Sequence, residues 1–280
     1  MNEQTSPGVG PRPVRLQIGD QRIAACESAG SGRPIVLIHG NSSSARIWRK
    51  QMQGPLGGKY RLIAIDLPGH GESGRAPDPE RDYSAPGYSA CVAGIAKQLE
   101  LEEAVFVGWS LGGHALLEAA SALPMAKGLM IFGTPPIAKT PDGFAGFKGL
   151  SPAGFAPAPS DEEIAGWTKL AFAPGFAAVP PFFVSDFRNT DGAARGCLGA
   201  AVQQGRFDDE VEIVRARLSI PLAIVHGAEE QIVDLSYLQR LVAPTLWRRQ
   251  VQVIAGAGHS TQWEQPQAFD EVLDAFAASV

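Results

Sequence analysis

Three residues in this sequence have the types and the order needed for acyl transfer. Ser110 stands in Gly108-Trp109-Ser110-Leu111-Gly112, directly after the apolar run Val105-Phe106-Val107 and directly before an alanine-rich segment. That pattern reads as strand, tight turn and helix, which forces the serine onto a strained turn and projects its hydroxyl from the sheet edge. The start of the following helix leaves backbone N–H groups unpaired beneath it, so the Leu111 N–H can receive an oxygen that becomes negative during reaction. A second donor is expected from Asn41. The run Ile35-Val36-Leu37-Ile38 ends in His39-Gly40-Asn41, and a glycine after a strand end lets the Asn41 N–H turn toward the same point.

A serine hydroxyl becomes nucleophilic only beside a base, and the base needs an anion at its Nδ1 to fix the tautomer. His259 follows the last strand through Ala255-Gly256-Ala257-Gly258 and is the expected base. After the strand Leu222-Ala223-Ile224-Val225, the turn His226 to Asp234 carries three carboxylates. Glu230 is preferred as the orienting acid. Asp234 is placed as a helix N-cap before Leu235, Glu229 is assigned to solvent, and Asp234 stays open as the second choice. The other four histidines, His39, His70, His114 and His226, are given structural roles, as is Asp66. No histidine or cysteine spacing suits a metal, so neither a metal nor a cofactor is expected.

The elements that must hold these residues follow from periodicity. Val14 to Ile18 and Gln21 to Cys26 flank Gly19-Asp20 as a hairpin. Continuous apolar runs at 35–38, 62–65, 105–107, 128–132 and 222–225 are of the kind that strands buried on both faces need, and 251–254 reads as the last strand. Helices are expected at 45–52, at 86–99, where Tyr88, Cys91, Val92, Ile95 and Leu99 make one stripe, at 208–218 and at 266–280. The alternation implies an α/β fold, a mostly parallel sheet wound on both sides with an inserted cap. Residues 14–136 and 208–280 form the core in this reading, 1–13 a disordered tail and 137–207 the cap. The cap is rich in proline, glycine and aromatic residues, as active-site lids are. Phe144 and Trp167 within it, with Trp109 at the elbow, are the candidate substrate contacts.

Composition narrows the partners. At 280 residues and 45% apolar content the chain can bury one large core. A net charge of −5 with scattered Lys and Arg offers no footprint for nucleic acid. Three distant cysteines, Cys26, Cys91 and Cys197, suggest apolar fillers rather than disulfides. No signal peptide or 18-residue apolar run is present, so the cytoplasm is the expected location and a small ester or lactone the expected partner, with no membrane.

The segments His39-Gly40-Asn41-Ser42-Ser43-Ser44, Asp66-Leu67-Pro68-Gly69-His70-Gly71, Gly108 to His114 and Gly133-Thr134-Pro135-Pro136 resemble those of α/β-hydrolase N-acyl-homoserine lactone lactonases. The order Ser110, Glu230, His259 is also the order of that superfamily. The resemblance implies a metal-free serine enzyme with Ser110 as nucleophile, His259 as base, Asn41 and Leu111 as oxyanion donors and a glutamate at 230. A general carboxylesterase, a cofactor-free perhydrolase and a ligand receptor that retains the triad are the alternatives on the same scaffold.

Overall fold

The computed structural model describes residues 10–280. Eight strands form one sheet in the order β1-β2-β4-β3-β5-β6-β7-β8: β1 Arg12–Ile18, β2 Gln21–Glu27, β3 Gly32–Ile38, β4 Tyr60–Ile65, β5 Ala104–Trp109, β6 Ala126–Phe132, β7 Leu222–Gly227 and β8 Gln252–Ile254. β1 and β2 pair antiparallel across Gly19-Asp20, β2 joins β4 antiparallel, and every later pairing is parallel. β1 begins inside the stretch expected to be a tail: Arg12 and Pro13 pair with Glu27 and Cys26, while residues 1–9 lie outside the described residues.

The continuous apolar runs are explained by a core on each face. Alternate residues of the same strands point to opposite sides, as a pleated strand requires. Val36, Ile38, Phe106 and Ile131 pack on one side with Tyr88, Cys91, Val92 and Ile95 of the helix Ala85–Gln98. Ile35, Leu37, Val105, Val107 and Phe132 pack on the other with Phe269, Leu273 and Phe276 of the helix Pro266–Ser279.

Two expected helices are formed differently. Residues 45–53 are a 3₁₀ turn, Ala45–Trp48, capped by Ser44 and followed by the short helix Arg49–Gln53. Residues 208–218 hold one turn, Glu210–Glu212, that widens into a π-turn, Ile213–Arg217, closed by the Leu218 N–H donating to Ile213 O at 2.8 Å. Pro221 follows, and a proline ahead ends helices early. Cys91 is buried, while Cys26 and Cys197 are only partly so, and all three are free. Among the described residues no helix is long and apolar enough to cross a membrane.

Between β6 and β7 the chain makes no sheet strand and instead forms helices, chiefly Asp161–Leu170, Phe182–Asn189 and Gly192–Gln203. This excursion is tied to the core at several points. The Lys148 N–H donates to Ile232 O and the Asp234 N–H to Gly146 O, and the Ser44 hydroxyl donates to the buried Asp186 carboxylate at 2.6 Å.

Candidate active site

β5 ends in the turn that holds Ser110 at φ 53°, ψ −118°, a left-handed conformation that costs a non-glycine residue energy and is retained where surrounding structure enforces it. The enforcement is visible in the approach of helix to strand: a Cβ on Gly108 would stand 2.5 Å from Gly112 O. The Ser110 N–H is fixed by Phe132 O at 2.9 Å and its carbonyl accepts from the Thr134 hydroxyl at 3.0 Å. Leu111 opens the helix Leu111–Ala119, and neither its N–H nor that of Asn41 meets an acceptor among the described residues. The two loops touch, since a Cβ on Gly40 would lie 3.1 Å from Ser110 Cβ. The Asn41 side chain is occupied separately, donating to Gly154 O of the cap at 2.7 Å.

On the other side of the serine, His259 Nδ1 lies 2.8 Å from Glu230 Oε2, with both side chains buried. Glu230 Oε1 accepts from the Ile232 N–H at 2.8 Å. Burial pushes this carboxyl toward a higher pKa, but the charge and hydrogen bond of His259 and the Ile232 N–H outweigh it and hold the pKa below the ordinary glutamate value. Asp234 caps the helix Leu235–Arg240, accepting from the Ser236 N–H at 2.7 Å, and Glu229 is exposed. Of the three carboxylates in the turn, Glu230 is therefore the one at the imidazole.

One residue that positions the base, Glu264, was not singled out in the sequence. Glu264 Oε1 accepts from the N–H groups of Gly258 and Ser260, one on each side of His259, while its Oε2 accepts from the Ala173 N–H in the excursion between β6 and β7. A carboxylate five residues after a histidine carries no spacing signal that could have marked it. Trp109 differs from its expected role. Its indole N–H donates to His259 O at 2.8 Å and its ring packs 5.6 Å from the imidazole, so it faces the histidine loop and is not part of the cavity wall.

Ser110, Leu111, Asn41 and His259 line one cavity of about 110 Å³. Phe144 and Trp167, both expected contacts, line it too, together with Phe147 and Phe155. An apolar chamber with a strained serine, an imidazole held by a carboxylate and two free N–H groups has the parts for nucleophilic acyl transfer.

Of the four histidines given structural roles, His39, His70 and His226 are buried away from this chamber. His114 is not: it lines the cavity beside Glu210, with Nδ1 2.9 and 2.8 Å from the two carboxylate oxygens. Burial would lower the His114 pKa, but Glu210, with Glu118 adding to it, raises it above the ordinary value.

His39 and His70 predict an acid sensitivity. The His39 Nδ1–H donates to Gly40 O while Nε2 accepts from the Leu67 N–H, so a second ring proton has no acceptor. The His70 ring lies tilted beside it, with ring centroids 5.1 Å apart. Burial lowers their pKa values from 6.5 to about 4 and about 3. Both values are depressed in the folded state, so the unfolded chain binds more protons below pH 6.5. The stability they give is complete above that pH and drains toward pH 4, at about 1.4 kcal/mol per pH unit for each. Burial raises the Glu118 and Asp270 carboxyls to about 7 and about 6, which works in the opposite direction over the same range. The test is therefore a comparison: the fall in urea midpoint from pH 7 to pH 5 should be smaller in His70→Gln than in the wild type by the share of His70, and equal changes would contradict this account of the pair.

With that geometry in place, comparison with known proteins is informative. The family model described as Alpha/beta hydrolase family matches residues 35–272. The chain is similar to the non-heme chloroperoxidase of Streptomyces lividans, 26% identical over 264 residues, which cover 89% of this chain and 92% of that one. Among solved structures it is similar to a mutant of the N-acyl homoserine lactonase AidH complexed with N-hexanoyl homoserine lactone, at 36% identity and a TM-score of 0.89, covering 95% of this chain and 97% of that one. It shares its fold with the esterase RhEst1 from Rhodococcus sp. ECU1013, at 23% identity and a TM-score of 0.76, over 97% of this chain and 99% of that one.

Proposed function

The chain belongs to the alpha/beta hydrolase family, and from that premise we propose that it is a serine hydrolase with a Ser110-His259-Glu230 triad that opens the lactone ring of N-acyl-homoserine lactones. The observation that carries the reading is the single apolar cavity onto which Ser110, His259 and the aromatic residues Phe144 and Trp167 all open. Its breadth of similarity to the lactonase supports the choice of a lactone over a linear ester.

In this mechanism Ser110 Oγ attacks the ring carbonyl as His259 takes its proton, and Glu230 stabilises the imidazolium. The oxygen that turns negative is met by the Asn41 and Leu111 N–H groups, donors worth roughly 10²–10³ in rate apiece. The ring C–O bond breaks and His259 protonates the departing alkoxide. That hydroxyl stays tethered to the acyl-enzyme, so water activated by the same histidine must finish the reaction before the ring closes again. The acyl tail lies against the cap aromatics.

Product chemistry tests the proposal. An N-acyl-homoserine lactone should gain the mass of one water and re-close on acidification. Release of free fatty acid would replace the reading with an amidase. Turnover of simple esters with no lactone opened would favour the general esterase, and oxidation of halide with peroxide and a carboxylic acid would favour the perhydrolase to which the chloroperoxidase similarity points. Binding without turnover would leave a receptor.

A further inference from the structure

We propose that His114, held by the buried carboxylate of Glu210, is a specificity-determining donor that recognises a second carbonyl oxygen in the acyl part of the substrate, set off from the ester carbonyl attacked by Ser110. The inference rests on the hydrolase reading of the same cavity and names what its wall selects.

His114 follows Ser110 by four residues on the helix that Leu111 opens, so their backbones stand one turn, about 5.4 Å, apart along its axis. Both line the cavity. Glu210 is wholly buried and its only ion-pair partner among the described residues is His114. Its second bond comes from the Ile137 N–H, which accompanies the imidazole and adds no charge. The Glu210 carboxylate favours the protonated form of the His114 ring and holds its Nδ1–H. With Nδ1–H given to Glu210, the remaining N–H of the ring is at Nε2, which makes no hydrogen bond among the described residues and is open to the cavity. The neighbouring wall, Phe144, Phe147 and Phe155, is hydrocarbon. Packing there would be served by leucine, so a charged donor in such a wall is costly unless the occupant brings an acceptor.

The spacing identifies the acceptor. An amide carbonyl carbon placed on the α-nitrogen of the acyl group stands three bonds from the ester carbonyl carbon, which puts its oxygen roughly 3–4 Å away by ordinary bond lengths. A donor one turn further along the same cavity wall can meet an oxygen set off by that distance. A plain alkanoyl chain offers no such oxygen.

The test uses two p-nitrophenyl esters of equal chain length, an N-acylglycinate that carries the amide carbonyl and an alkanoate that does not. For each, kcat/KM is measured on the wild type, on His114→Phe/Glu210→Gln, which strands no buried charge, and on His114→Gln, which retains an N–H donor. The preference for the amide ester should drop about 10–100-fold in the double variant, the scale of one hydrogen bond to a charged group, and recover in part in His114→Gln. A preference that holds while both rates fall together would assign the pair a structural role and overturn the inference, as would a preference that holds with both rates intact. Neither ester contains a lactone. A wild type that cleaves both but opens no lactone would thus retire the lactonase reading and leave the His114 result standing, whereas a wild type that cleaves neither would overturn both.

Discussion

Ser110→Ala is expected to lose about six orders of magnitude in kcat, the scale seen when the nucleophile of a serine protease triad is removed. The substitution deletes one oxygen that lines the cavity, and the Ser110 hydroxyl makes no hydrogen bond among the described residues. Folding should therefore be untouched, and the circular dichroism and urea midpoint should match those of the wild type. A fluorophosphonate probe should label the wild type, fail on Ser110→Ala and nearly fail on His259→Ala, since the probe needs both the nucleophile and its base. Undiminished labelling of Ser110→Ala would remove the mechanism as a whole.

The second large effect is expected at Glu230. Glu230→Gln preserves volume and can still accept from the Ile232 N–H, yet it turns an acceptor-only group into one that can present an amide N–H to His259 Nδ1. The imidazole then favours the wrong tautomer and its cation goes unsupported. A loss of about 10⁴-fold in kcat follows from the corresponding change in a serine protease. Asp234→Asn should fall within a few-fold of wild type, because Asp234 serves a helix cap and an asparagine caps nearly as well. The opposite ranking in steady-state kinetics would transfer the acid role to Asp234.

Ser110 was the more legible of the two in the sequence, and for a physical reason. An elbow needs glycines at fixed offsets from the serine, and a strand buried on both faces leaves an unbroken apolar run, so Gly108 to Gly112 and Val105 to Val107 mark the site locally. Glu230 could be preferred because Asp234 had a competing local use at a helix start. What could not be read depends on contacts remote in sequence. Glu264 grips the His259 loop through backbone N–H groups, which any sequence supplies. Trp109 lies beside the nucleophile in the chain but faces His259, 150 residues away, because alternate residues of β5 point to opposite sides. His114 follows the elbow as a structural histidine does, and only the arrival of Glu210, 96 residues later in the chain, gives it a buried carboxylate partner. The π-turn at 213–217 replaces a helix whose periodicity was sound but whose length was cut short by the approach to β7.

The central claim is tested most directly by the mass of the covalent intermediate. Opening a lactone expels no fragment, because the leaving alkoxide remains part of the acyl group. Cold acid quenching of the wild-type protein within one turnover of an N-acyl-homoserine lactone, followed by intact-mass and peptide analysis, should therefore show an adduct equal to the entire substrate mass on the peptide bearing Ser110. An adduct carrying the fatty acyl chain alone, or one on a residue other than Ser110, would contradict the account.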